Sequence, residues 1–142
     1  MITIDCARAL QQAGLRWRPA SGDSFSIERP GFDSDVFTVS EMTIEAHEFD
    51  TGTILGFNGT TEWALDSLAL EDALWLPRED QLRNLLGGTF RSLHRLGEDS
   101  FRVNVRVGGA DEAFEASTAE DAYGTAVLML LGRAGVCRVA GA

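Results

Sequence analysis

The sequence contains no lysine, and this absence excludes two kinds of chemistry. All 12 basic residues are arginine. A Schiff base on a lysine amine and a phosphate-binding loop of the GxxxxGK[ST] type both require lysine. Neither a lysine Schiff base nor a phosphate-binding loop of this type can therefore form from these 142 residues.

Long hydrophobic runs are also missing. The longest apolar run is the six residues 126–131, whereas a membrane-spanning helix needs about 20. The first residues, MITID, lack the basic segment and following apolar stretch of a secretory signal. We therefore expect a cytoplasmic protein with no membrane partner.

Cysteine is scarce, with Cys6 and Cys137 lying near opposite ends of the chain and outside any CxxC spacing. In the cytoplasm such thiols are usually reduced and often serve as small buried groups. Neither lies in a recognisable nucleophile motif. We expect neither a disulfide nor a catalytic thiol.

The net charge of −10 is concentrated in the middle of the chain. Residues 31–80 hold one arginine and 12 acidic residues, whereas residues 81–142 hold seven of each. Proteins bind nucleic acid mainly through cations that displace counterions from phosphates. We therefore expect no nucleic-acid partner, and dispersed acids of this kind are typical of a solvated sheet face.

A chain of 142 residues, 44% hydrophobic and 24% charged, has the size and composition of one folded domain. It shows no internal repeat, low-complexity block or linker that would mark a second domain. The sequence therefore predicts a single domain spanning residues 1–142.

The first half predicts one helix followed by a β-meander. Thr3 can cap a helix that runs to Ala13, and Gly14 can end it. Two-residue alternation of apolar side chains predicts strands after that helix. They comprise a hairpin of residues 15–17 with residues 25–27, and one longer strand or two shorter ones over residues 36–46, followed by a turn at residues 50–53 and a strand over residues 54–57. A further strand is predicted over residues 62–67, although residues 64–72 also have a spacing that suits a helix.

The segment ALWLPREDQLRNLLGG, residues 73–88, predicts the end of a strand and the start of a helix. Pro77 suits the first helical turn because its missing N–H is not needed there, and Glu79 and Asp80 complement the helix dipole. Gly87 and Gly88 end that helix. Residues 89–96 continue as a second helical piece.

The last third predicts a hairpin and a helix. Alternation over residues 101–107 and 110–116, with two glycines between them, is typical of a hairpin. Residues 117–120, STAE, match a capping box before a long apolar stripe that reaches Arg133. Residues 135–142 form either an edge strand or a frayed end. The fold class is α+β, an antiparallel sheet with an N-terminal helix, a Pro77-initiated helix and a C-terminal helix packed on it.

Few residues could support chemistry. Glu45 and His47 would share one face of a strand, but the only other histidine is His94, and metal sites usually draw three or four ligands. We expect no metal and no cofactor. Glu62 and Asp66 form a carboxylate pair only if they face each other across a cleft.

Three blocks carry a resemblance over most of the chain: GFNGTTEWALDS at 56–67, ALWLPREDQLRNLLG at 73–87 and TAEDAYGTAVLMLLG at 118–132. Together they resemble a family of short uncharacterised bacterial proteins from GC-rich genomes, some of which carry an automatic label as pilus assembly proteins. The resemblance implies pilus assembly as a possible context, by label only, and it implies no catalytic residue.

We interpret the sequence as a non-catalytic protein-binding or adaptor module, with Glu45, His47 and Glu48 as a candidate partner surface. A protein partner and a homodimer formed through a sheet edge are both expectations. The alternative is a small-ligand-binding protein or enzyme with an acidic cleft around Glu45, His47, Glu62 and Asp66.

Overall fold

The fold is α+β, as predicted, with three α-helices and three antiparallel three-stranded sheets among the residues described. The computed structural model describes residues 1–28, 35–39, 44–49, 52–57, 67–69 and 72–134. The chain forms two compact units: Met1–Arg16 with Pro77–Ala142, and Trp17–Leu76. The single-domain interpretation stays a prediction.

The N-terminal helix, α1 (Ile4–Gln12), begins and ends where its sequence signals lie. The Thr3 hydroxyl accepts a hydrogen bond from the backbone N–H of Cys6 at 3.2 Å, which satisfies one of the free donors of the first turn. Gly14 follows the helix with a φ of 105°, a conformation that glycine adopts readily. The predicted cap and stop are confirmed.

The unit Trp17–Leu76 contains a sheet with the strand order β2-β1-β6. Its strands are β1 (Ser24–Ile27), β2 (Val36–Thr38) and β6 (Ala73–Leu76). Phe25 lies opposite Phe37 on one side and Trp75 on the other. The predicted hairpin of residues 15–17 with residues 25–27 is wrong, because residues 15–17 form no strand and both edges of β1 pair elsewhere.

A second sheet of this unit has the order β3-β4-β5. It consists of β3 (Ile44–Phe49), β4 (Gly52–Phe57) and β5 (Ser67–Ala69). The predicted hairpin across residues 50–53 is confirmed by the pairing of Phe49 with Gly52. Of the predicted strand 62–67, residues 62–66 lie outside the described residues, and β5 begins at Ser67.

The segment 73–88 passes from a strand to a helix, as predicted. β6 ends at Leu76 and α2 (Glu79–Leu86) follows two residues later. The capping residue is Arg78, whose backbone N–H donates to the Gln81 side chain at 2.9 Å. Pro77 therefore precedes the cap instead of occupying the first turn, where the sequence placed it. Gly87, with a φ of 57°, ends the helix.

The remaining sheet belongs to the unit formed by the two ends of the chain, and its order is β7-β8-β9. It consists of β7 (Phe90–Gly97), β8 (Ser100–Val107) and β9 (Ala110–Ala116). The hairpin of β8 and β9 is confirmed, and its two loop residues, Gly108 and Gly109, both have positive φ. That geometry is typical of the type I′ turn, whose twist matches that of the strands.

The predicted helical piece at 89–96 is wrong, because Phe90–Gly97 forms β7. Phe90 and Leu93 are three residues apart, which suggested a helix. In the structure, Phe90 lies opposite Val105 and Leu93 opposite Val103, with a register shift between Phe90 and Ser92. The register shift places Phe90 and Leu93, which are three residues apart as on one face of a helix, on the same face of the strand.

The C-terminal helix, α3 (Ala119–Ala134), packs against β8, β9, α1 and α2. The Thr118 hydroxyl accepts from the backbone N–H of Asp121 at 3.1 Å, so the cap lies one residue later than the predicted capping box at Ser117. The buried face of the helix includes Ala122, Tyr123, Ala126 and Val127. The helix end predicted at Arg133 agrees to within one residue, whereas the tail 135–142 lies outside the described residues.

Candidate functional site

The candidate surface named from sequence lies on β3, an edge strand of its sheet within the described residues. Glu45 pairs with Gly56, His47 with Ile54 and Glu48 with Thr53. Because successive residues of a strand alternate between faces, positions 45 and 47 share one face and position 48 lies on the other. Glu62 and Asp66, the other two members of the proposed acidic cleft, lie outside the described residues.

The β7-β8-β9 sheet has two faces of opposite character. On one face, Val103 and Val105 are 0% and 1% exposed, and α3 packs on the same strands. We call the other face the open face. It consists of three cross-strand rows: Ser92, Asn104 and Ala113; His94, Arg102 and Glu115; and Arg106 with Asp111.

The charged residues of the open face form two cross-strand ion pairs. The Arg102 guanidinium lies 3.0 Å from the Glu115 carboxylate, and that of Arg106 lies 3.3 Å from Asp111. All four side chains are at least 40% exposed. Exposed pairs of this kind contribute little to stability, usually below about 1 kcal/mol, so their main effect is to fix the positions of charges on the surface.

A short hydrogen-bond chain runs beside these ion pairs. The Asn104 amide donates to the Ser92 hydroxyl at 3.0 Å, and the Ser92 oxygen lies 3.0 Å from His94 Nε2. A serine beside a histidine can form a nucleophile and its base. Here the pair lies on an exposed sheet face, and the bond from Asn104 fixes the position of the serine oxygen. The arrangement therefore orders the open face.

Sequence reasoning missed the open face because it assigned residues 89–96 to a helix. A helix would separate His94 from Arg102, whereas strand pairing places them directly opposite each other. One signal was present in the sequence. Arg102, Asn104 and Arg106 alternate with valines along β8, a pattern that places polar residues together on the face opposite the core.

Cys6 is held in an environment that suppresses its reactivity. Burial and the nearby negative charge of Asp121 raise the pKa of its thiol to about 11. Since the thiolate is the nucleophilic form, a thiol with this pKa is almost wholly protonated at neutral pH. Cys6 is therefore a packing residue, as the sequence indicated. Its sulfur lies against α3 at Gly124, where an added Cβ would be 2.5 Å from it.

Asp23 is a buried carboxylate in the unit Trp17–Leu76, only 3% exposed. Its Oδ2 accepts from the Trp17 indole N–H at 2.9 Å and from the Ala20 N–H at 3.1 Å. Backbone bonds of Gly22 and Asp23 with Val39 tie the same turn to the end of β2. A buried carboxylate is stable when it is hydrogen-bonded in this way. Its contacts assign Asp23 a structural role.

An aromatic cluster fills the core beside this turn. The ring centroids of Trp17 and Phe25 are 5.2 Å apart, and those of Phe25 and Phe37 are 5.6 Å apart. Trp75 packs against the same cluster from β6. Two of the three tryptophans thus belong to the core, and the third, Trp63, lies outside the described residues.

Within the part of the chain that the structure describes, no group of three or more histidine, cysteine, aspartate or glutamate residues has a geometry suited to a metal ion. In the same residues, no helix combines the length and the apolar character needed to cross a bilayer.

Comparison with protein-family models, with curated proteins and with solved structures gave no match. The assignment of a function therefore has to start from the geometry of the chain itself.

Proposed function

We propose that this chain is a non-catalytic, cytoplasmic protein-binding module that uses the open face of the β7-β8-β9 sheet. The observation that carries the proposal is the contrast between the two faces. One is buried beneath α3, whereas the other presents His94, Arg102 and Arg106 in fixed positions. Exposed arginines held at a surface are common in protein interfaces.

The distribution of charge adds support. The excess of acidic residues lies in residues 31–80, whereas residues 81–142 carry as many arginines as acids. Charge asymmetry between parts of a chain can steer a partner to one surface and determine its orientation. The sheet that carries the open face belongs to the less acidic part.

The environments of the most reactive groups also support a non-catalytic role. The pKa of Cys6 is raised by burial, the Asp23 carboxylate binds the Trp17 indole, and the Ser92 hydroxyl accepts from Asn104. Each group performs a folding function that accounts for its presence.

The decisive experiment exchanges charges on the open face without removing an ion pair. The double variant Arg102→Glu with Glu115→Arg keeps opposite charges across β8 and β9 while reversing their positions. The matched control exchanges Asp5 and Arg8, an exposed pair on α1. Each protein is immobilised and exposed to lysate of the native host, and the bound proteins are quantified by mass spectrometry.

We expect the open-face exchange to lose a protein that the wild type and the α1 exchange both retain, with all three proteins equally folded by circular dichroism. Retention of the same proteins by all three would contradict the assignment of the open face. The pilus-assembly label carried by some members of the resembling family suggests the context in which to seek the partner.

The second candidate is a small-ligand-binding protein or enzyme with an acidic cleft around Glu45, His47, Glu62 and Asp66. It is favoured by the register of β3, which places Glu45 and His47 on one face. Calorimetric titration with Zn²⁺ and Mn²⁺ tests it, with His47→Ala as the matched variant. Tight binding that His47→Ala abolishes would favour this candidate over the protein-binding module.

A further inference from the structure

Among the described residues, β7 is an edge strand of its sheet. Half of the backbone N–H and C=O groups of an edge strand point away from the sheet and can pair with another strand. Among the described residues, the backbone of residues 91–97 forms ladder bonds with β8, and the Gly97 carbonyl also accepts from the Arg95 side chain. Regular pairing with β8 extends over Ser92–Arg95, between two register shifts.

The β7 edge carries two exposed arginines. Arg91 and Arg95 are both exposed, and neither forms an ion pair with any residue that the structure describes. The Arg95 Nε donates to the Gly97 carbonyl at 3.1 Å, which holds its guanidinium beside the strand. Uncompensated cations are notable in a chain whose net charge is −10.

The same sheet already shows how an arginine strand binds an acidic strand. Arg102 and Arg106 of β8 lie directly opposite Glu115 and Asp111 of β9 and form ion pairs with them. Cross-strand pairs of opposite charge favour such pairing. β7 offers the same type of side chain at the opposite edge, where no acidic strand is present within the described residues.

The charges on β7 and β9 also indicate which kind of strand can pair with the β7 edge. Two copies of the chain paired symmetrically through β7 would bring Arg91 and Arg95 of one copy close to those of the other, and like charges on facing strands are destabilising. Symmetric pairing through β9 would oppose Asp111 and Glu115 in the same way. Pairing of β9 on β7 of a second copy is heterologous and does not close into a dimer.

We propose that the β7 edge binds an extended acidic segment of a partner protein, which adds to the sheet as a fourth strand. This inference rests on the proposed protein-binding function and names its partner. The added strand pairs with the backbone of Ser92–Arg95, and its acidic side chains reach Arg91 and Arg95. Leu96, 45% exposed at the end of β7, offers a contact for one apolar side chain.

The test uses the acidic strand of this sheet as the probe. A fluorescein-labelled peptide of residues 109–117, GADEAFEAS, is titrated with the full chain and its anisotropy is measured. The variant Arg91→Glu with Arg95→Glu should bind at least about tenfold more weakly, a difference of about 1.4 kcal/mol. The matched control, Arg16→Glu with Arg18→Glu, makes the same charge change at two exposed arginines that do not belong to β7. It should bind within about twofold of wild type, a difference below about 0.4 kcal/mol.

Two further measurements test the charge pairing and the strand addition in turn. A peptide in which arginines replace the three acids should bind the Arg91→Glu, Arg95→Glu variant better than it binds the wild type. Amide hydrogen exchange should slow in residues 91–97 when the acidic peptide is bound, because strand addition protects outward-facing N–H groups.

Absence of peptide binding at millimolar concentration, or equal binding by the two double variants, would overturn the proposal. Binding of single-stranded RNA that depends on Arg91 and Arg95, without peptide binding, would reassign the edge to phosphates. If these tests fail while a partner is still lost with the Arg102 and Glu115 exchange, the module binds protein through its open face alone.

Discussion

Replacement of Gly124 by alanine tests the packing of α1 on α3. Gly124 is buried in α3, and a Cβ added there would lie 2.5 Å from the Cys6 sulfur. Ordinary van der Waals contact begins about 1 Å farther out, near 3.4 Å. The Ile2 and Leu10 methyl groups, at 3.6 and 3.8 Å, are at normal distances. The strain therefore comes from one sulfur atom.

Two terms of opposite sign determine the size of the effect. Alanine in a helix interior is more favourable than glycine by about 1 kcal/mol, whereas overpacking a core costs about 1–3 kcal/mol. The Cys6 side chain has one rotatable bond, and α1 disfavours one of its three rotamers, so the sulfur has little room to move. At the upper end of the overpacking cost, about 3 kcal/mol, less the gain of about 1 kcal/mol in helix propensity, we expect Gly124→Ala to lower the free energy of unfolding by about 2 kcal/mol.

Cys6→Ala should reverse that loss. Alone, it removes the sulfur of a half-buried side chain at a cost of at most about 1 kcal/mol. Combined with Gly124→Ala it removes the clash, so the double variant should lie within about 1 kcal/mol of wild type, with a coupling energy of about 2–3 kcal/mol. Gly132→Ala is the control, because a Cβ there meets nothing within 4 Å, and it should be neutral or stabilising.

Urea unfolding followed by circular dichroism measures the four variants against wild type. Additive effects of the Cys6 and Gly124 changes would refute the reasoning, as would a Gly124→Ala protein as stable as the Gly132→Ala control. Either result would mean that α1 and α3 are farther apart than the structure places them.

Three other predictions follow from buried groups. The variant Cys137→Ser leaves Cys6 as the single thiol. Because the pKa of that thiol is about 11, it should react with iodoacetamide at pH 8 about 100-fold more slowly in the folded than in the unfolded protein. Equal rates would contradict this prediction. Asp23→Ala should lower the free energy of unfolding by about 2–3 kcal/mol, since it leaves the buried Trp17 indole N–H without its acceptor, and Asp23→Asn should lower it less; a neutral alanine variant in urea unfolding would contradict the structural role. Burial raises the pKa of Tyr123, the single tyrosine, so its contribution to stability is complete below the ordinary tyrosine pKa and is lost as the pH rises through the folded pKa. An ultraviolet titration should therefore show tyrosinate forming at higher pH in the folded than in the urea-unfolded chain. Coincident titration curves would contradict this prediction.

The helices show how far local signals reach. Thr3 and Gly14 delimit α1 as predicted, because a cap and a left-handed stop act within one turn. The cap of α3 was misplaced by one residue, since Ser117 and Thr118 are both able to cap and only the bond from Asp121 distinguishes them. Local chemistry thus determined the helices and left their ends uncertain by a residue.

Whether a strand could be predicted depends on how far along the sequence its partner lies. Alternation and two adjacent glycines were enough to predict the β8–β9 hairpin, since its partners adjoin in sequence. β7 was taken for a helix because the spacing of Phe90 and Leu93 suits either structure, and only pairing with Val105 and Val103 decides between them. The rows of the open face depend on this pairing, because a helix at these residues would not place His94 beside Arg102.

By itself, the sequence determined the α+β class, the three helices and the β3–β4 and β8–β9 hairpins, because capping, periodicity and turn chemistry act between near neighbours. Tertiary structure alone decided that β1 pairs with the distant β6, that Asp23 anchors Trp17, and that His94 and Arg102 share one exposed row. The physical reason is that these contacts join residues whose proximity depends on the whole path of the chain, which no local pattern specifies.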